Sequence, residues 1–197
     1  MNYISKKRIV SIGSHLKPRP LGNPILEEDG VHSDENNFFN ALQNGKWNIA
    51  KEIYGKNPGV LKVICLNYGK SALHIAVIAG HTDIVEWLIG LMEPKDLELK
   101  GTIDGFTALA DATMSGITSI AKSMVRKNPR IVSIATETGM IPVVLALAYG
   151  NKKMARYLYE VTPLEELLPE KGANGASLLT YAIRTQQYGK HLLAILF

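Results

Sequence analysis

Several things that would point to chemistry are scarce in this chain. It has one cysteine, Cys65, in 197 residues, so no disulfide can close within it and no zinc-type cysteine spacing exists. Nothing at the N-terminus has the shape of a secretory h-region, and the expected compartment is reducing and cytoplasmic. Long apolar runs are missing too: Leu192–Phe197 is among the longest, far short of the roughly 20 residues a membrane span needs. Of 22 basic and 18 acidic residues, five of each cancel in the head, leaving a mild basic excess with no dense Lys/Arg stripe and few aromatics to interleave it. That pattern argues against a nucleic-acid partner.

The head is biased in a different way. Residues 1–26 carry Lys6, Lys7, Arg8, Lys17 and Arg19 without an acid, and residues 27–35 carry Glu27, Glu28, Asp29, Asp34 and Glu35 without a base. With Pro18, Pro20 and Pro24 and no sustained periodicity, residues 1–33 read as a flexible leader ahead of a single domain over 34–197. LysLysArg at 6–8 has the spelling of a localisation or anionic-lipid segment and is read as part of a solvated tail.

What is present in quantity is repetition. Gly69 recurs as Gly105, Gly139 and Gly175, and a second glycine follows the first three at Gly80, Gly116 and Gly150, with Gly45 one period earlier. Between the glycines lie short helix-like segments, SALHIAVIA, TALADATMS, IPVVLALAY and SLLTYAIRT, with Ser71, Thr107 and Ser177 at N-cap positions and Pro142 at a first helical turn. After the second glycine an apolar stripe recurs in fixed phase: Ile49, Ala50, Ile53, Tyr54; Ile84, Val85, Leu88, Ile89; Ile120, Ala121, Met124, Val125; Met154, Ala155, Leu158, Tyr159. Spacing i, i+1, i+4, i+5 places each set on one helix face. Asn57-Pro58, Glu93-Pro94, Asn128-Pro129 and Thr162-Pro163 stop these second helices, and each is followed by an extended arm turning at the next glycine. The predicted class is all-α: about five helix-turn-helix units with projecting hairpin loops, at approximately 34–67, 68–103, 104–137, 138–173 and 174–197.

Gly69-Lys70-Ser71-Ala72-Leu73-His74-Ile75-Ala76 followed by Gly80-His81, and Asp104-Gly105-Phe106-Thr107-Ala108-Leu109, resemble the ankyrin repeat. Asn128-Pro129-Arg130-Ile131-Val132, Gly139 to Pro142 and Met154 to Tyr159 with Thr162-Pro163 resemble more narrowly the plant ankyrin-repeat proteins. Members of that family often end in a membrane-spanning PGG domain, absent here, and are linked to stress and defence responses. The resemblance implies a protein-binding scaffold, or the cytosolic portion of a membrane-anchored signalling protein at the cytosolic face of the plasma membrane. It also implies that His74 bonds backbone of a neighbouring unit and that His81 opens a second helix.

No catalytic residues emerge. Residues 64–71 imitate a phosphate-binding loop, but Ile64 stands where its first glycine is needed, so the stretch reads as structural. His74 and His81, with Asp83 and Glu86, do not share a helical face as metal ligands would, so neither a metal nor another cofactor is expected. Cys65 reads as a small buried hydrophobe, His191 has no visible partner, and no nucleophile elbow is present. Partner contacts are expected instead at the loop tips, Asn67, Tyr68, Lys70, Asp104, Phe106, Glu137, Thr138, Met140, Asn174 and Ala176, and at the first-helix exits, Ile78, Met114, Ala148 and Arg184. The apolar terminus, LLAILF, suggests self-association through 188–197 or a longer native product.

Overall fold

The computed structural model describes residues 30–168 and 173–185. Most of the expected leader, His191 and the 188–197 segment lie outside these residues. Helix α1, Gly30–Gln43, starts inside the stretch read as leader. It is followed by α2 (Trp47–Lys56), a hairpin of β1 (Ile64–Cys65) and β2 (Lys70–Ser71), then α3 (Ala72–Ala79) and α4 (Thr82–Leu91). The pairing continues with α5 (Ala108–Ser115) and α6 (Thr118–Lys127), then α7 (Pro142–Ala148) and α8 (Lys152–Val161), and ends with the short α9 (Leu164–Leu167) and α10 (Ala173–Thr185). This is an all-α stack.

The helices form two rows. In the first, α3 packs on α5, α5 on α7 and α7 on α10; in the second, α4 packs on α6 and α6 on α8. A first-row helix has a neighbour on either side and its own partner behind, so nearly its whole circumference is buried: Ala72 through Val77 and Pro142 through Leu147 are buried without a break. Second-row helices bury one stripe. Ile84, Val85, Leu88 and Ile89, and Ile120, Ala121, Met124 and Val125, are buried as the spacing predicts. In α2 the stripe is incomplete. Contact with α4 runs through rings, Trp47 at 6.4 Å and Tyr54 at 5.5 Å from Trp87, and Ile49 stays 44% exposed.

One turn is repeated between the helices of each pair. Gly80 adopts φ 77°, its N–H donates to Val77 O and the next N–H, of His81, donates to Ala76 O, which together satisfy carbonyls that the helix end leaves free. The same two bonds recur after α1, α5 and α7. The left-handed conformation is the reason for glycine at this site.

The connectors differ from the expected extended arm. Three of the four prolines open a 3₁₀ turn, Pro58–Lys62, Pro94–Glu98 and Pro129–Ser133, that buries an aliphatic anchor: Val60, Leu97 or Ile131. Asn57 and Asn128 accept from the N–H two residues on, so the asparagine holds the turn that proline begins. Only the last residues are extended, with Ile64 opposite Ser71, Cys65 opposite Lys70 and Lys100 opposite Thr107. The third arm is closed by Thr136 N–H donating to Met140 O at 3.0 Å. The fourth turn does not form: Gly175 and Ser177 lie inside α10, so Ser177 is not an N-cap. Before it, Leu164–Leu167 is helical in the place that 3₁₀ turns take in the other connectors.

Candidate interaction surface

Lys70 is not an exposed tip residue. Its side chain is buried, with Nζ 2.9 Å from Asp111 Oδ2 and 2.8 Å from Asp104 Oδ2. The aliphatic stem passes Gly101, and the ammonium lies 5.6 Å from the Phe106 ring centroid. The hairpin strand β2 turns the side chain inward toward α5, where Asp111 is 2% exposed. A buried cation needs such partners because an unpaired one would be left desolvated. Burial pushes the Asp111 carboxyl up to about 6 although Lys70 pulls it down, which leaves the carboxylate ionised at neutral pH. Taken up by two carboxylates, Lys70 has no part in a phosphate loop.

Beside this pair, Ser71 caps no backbone N–H. Its Oγ lies 2.7 Å from His74 Nδ1, and His74 Nε2 lies 2.9 Å from Phe106 O in the neighbouring unit. A carbonyl facing Nε2 requires Nε2 to carry the proton, so Nδ1 accepts from the serine hydroxyl. Burial, reinforced by the Lys70 charge, lowers the His74 pKa to about 4 and keeps the ring neutral. His74 thus bonds backbone of the adjacent unit, as the ankyrin pattern implied. His81 stands at the N-cap of α4 with Nε2 3.1 Å from Gln43 O. Thr107, in the position equivalent to Ser71, does cap: its Oγ1 accepts from Ala110 N–H at 3.3 Å.

The hairpins are coupled in sequence. Thr102 N–H donates to Gly69 O at 2.8 Å, and Ile103 lies so close over Gly69 that a Cβ there would meet its Cγ1 at 2.7 Å. Lys100 Nζ reaches Ala135 O in the next arm at 2.7 Å, and the Glu137 side chain covers Gly105. Neighbouring tips are therefore held at fixed spacing.

The remaining expected contacts fall into three groups. Asn67, Ile78, Glu137 and Thr138 are exposed, with the Thr138 hydroxyl 2.9 Å from that of Thr136. Tyr68, Met140, Met114, Phe106 and Ala148 are half-buried, and Tyr68 and Met140 pack against the core. Asp104 is half-buried and accepts from Phe106 N–H as well as Lys70. Asn174 and Ala176 are helical residues of α10 rather than loop tips, and Asn174 Oδ1 accepts from Ile141 N–H at 3.2 Å. The Arg184 side chain is outside the described set. Cys65 is buried, which raises its thiol pKa and suits the hydrophobe reading.

Two tip residues missing from the sequence expectations stand out. Leu66 is 86% exposed and Ile103 is 69% exposed, the most solvent-exposed large hydrophobics among the described residues. The signal was an aliphatic side chain inside each four-residue turn, at LNYG and TIDG, where no core position exists for it to occupy. Along the first row no ionisable side chain reaches the surface from α3, α5 or α7: His74 and Asp111 are both buried. Leu66, Ile78 and Ile103 are thus exposed apolar side chains in or beside a row whose helices α3, α5 and α7 present no surface charge.

Residues 38–135 match the family model for ankyrin repeats, in three copies. Over 116 residues, 59% of this chain, the sequence is 26% identical to the mouse (Mus musculus) ankyrin repeat and SAM domain-containing protein 6 and 25% identical to the same protein of the rat (Rattus norvegicus). The chain spans 12% of the length of each of these relatives. Beyond residue 135 the helix pairs continue, with α7 and α8 repeating the packing of α5 and α6.

Proposed function

Residues 38–135 are ankyrin repeats, modules of protein–protein interaction, and from that premise we propose that the chain is a non-enzymatic scaffold of about five units that binds a protein partner on its hairpin tips and first-row exits. The observation that carries the reading is the exposure of Leu66 and Ile103 on tips fixed to one another by the Thr102–Gly69 hydrogen bond. Exposed aliphatic groups on a rigid frame lose little freedom on binding and contribute apolar burial. Ile78 extends the same face, and Asn67, Glu137 and Thr138 supply polar contacts at its rim. Tyr68, Phe106, Met114, Met140 and Ala148 contribute their exposed portions.

The resemblance to plant ankyrin-repeat proteins suggests stress or defence signalling as the setting, with membrane anchoring by a further domain as the alternative. Among the described residues no helix is long and apolar enough to cross a membrane. The test is affinity capture from a native extract with the wild type and with Leu66→Ser/Ile103→Ser. The variant is expected to melt at the wild-type temperature and to lose the partner. Recovery of every partner at wild-type yield would overturn the assignment of these tips.

A further inference from the structure

Basic residues that look scattered in the sequence are gathered by the fold onto one face of the second row. Lys122 and Arg126 project from α6, Arg130 from the turn after it, and Lys152, Lys153 and Arg156 from α8, all exposed. The two helices pack side by side, and Tyr157 joins their cations: Lys122 Nζ lies 5.5 Å from its ring centroid, and the Arg126 charge acts on its hydroxyl. None of the six cations has an ion-pair partner among the described residues, whose ion pairs are Lys56–Glu52 and those of Lys70. Lys122 and Arg126, and Lys152 and Arg156, stand four residues apart on their helices, a spacing at which like charges repel. Glu160, four residues beyond Arg156, offsets only the end of α8, so the remaining like charges disfavour the free protein and are relieved by a negatively charged occupant.

The patch is bounded. Asp83 and Glu86 are exposed on α4 at one side, and Glu160 and Glu165 at the other. A flat bilayer or a long duplex would extend over these carboxylates and meet repulsion. Two ten-residue helices cover about 15 Å along their axes and stand about 8–10 Å apart, the footprint of a short stretch of polypeptide. We propose that this face docks an acidic segment of a partner protein. Separate variants address this face and the hairpin tips.

The probe is a fluorescein-labelled, unstructured Glu/Ser peptide of about ten residues, titrated by fluorescence anisotropy at low salt. Wild type is expected to bind, with affinity falling at least about tenfold on raising salt to physiological strength. Lys152→Glu/Lys153→Glu/Arg156→Glu is expected to weaken binding by a further tenfold or so, whereas Lys46→Glu/Lys62→Glu/Lys95→Glu, which changes net charge equally from exposed sites elsewhere, weakens it less than about threefold. If the first variant fails to show a wild-type circular dichroism melt, Lys152→Gln/Arg156→Gln takes its place, with an intermediate loss expected. Equal losses in the two triple variants, no peptide binding by the wild type, or tighter binding of phosphatidylserine vesicles or duplex DNA than of peptide would each overturn the proposal.

Discussion

The junction between α3 and α5 and the junction between α5 and α7 share one backbone design but are closed by opposite chemistry. At the first, Lys70 reaches Asp104 and Asp111, and His74, held by Ser71, reaches Phe106 O. In the α5 unit, which faces α7, the positions equivalent to Lys70, Ser71 and His74 are Phe106, Thr107 and Ala110, and on the α7 side Ile141 and Val144 are fully buried. The second junction keeps a few polar bonds outside its core. Asn151 Nδ2 donates to Thr113 O and Met114 O. The repeat therefore specifies where neighbours touch, not what they touch with. A polar junction depends on complete partnering, whereas an apolar one depends on fitted volume.

The largest difference should come from removing one charge. Lys70→Ala leaves Asp111 buried without a counter-ion and is expected to lower stability by about 3–5 kcal/mol in denaturant unfolding, and Asp111→Ala, after which Lys70 keeps Asp104, by less. Next is pH. His74 is held near 4, below its usual 6.5, so the unfolded chain binds the extra proton between those values, and its contribution is complete above pH 6.5 and lost as pH falls toward 4. The stability gap between wild type and His74→Gln should therefore shrink by about 3 kcal/mol over that window. Asp111 has the opposite sign. Raised from 3.8 to about 6, it favours the fold at low pH and loses that contribution as pH rises to 6, flattening the wild-type profile without entering the His74 difference.

At the apolar junction, Val144→Ala should cost about 2 kcal/mol by leaving a void, and equally at pH 4 and 6.5. A pH-dependent cost there would break the contrast. Smaller still, Lys70→Met/Asp111→Leu replaces the buried pair with apolar groups and should fall within about 1.5 kcal/mol of wild type, far from the sum of the single losses.

How much of this was legible in sequence depends on range. The second-row stripes, the glycine turns and Pro142 at the start of α7 are local patterns, and each is present as read, apart from the α2 stripe and the last turn. What failed was non-local. Lys70 looked exposed because a hairpin tip is usually solvated, and only the packing of α5 brings Asp111 to it, 41 residues away. Gly175 has the right spacing, yet it lies inside α10 and makes no turn. The basic face was missed for the same reason: its residues lie on two helices separated by an entire arm.

The division between residues that fold the stack and residues that recognise a partner is tested most directly by comparing partner capture by Leu66→Ser/Ile103→Ser with capture by Lys70→Met/Asp111→Leu. The first pair is solvent-exposed, and its change should alter stability by no more than about 0.5 kcal/mol. The predicted result is loss of the partner in the tip variant and wild-type recovery in the variant with the apolar junction. Loss of the partner on changing Lys70 and Asp111, with full recovery on changing Leu66 and Ile103, would contradict it.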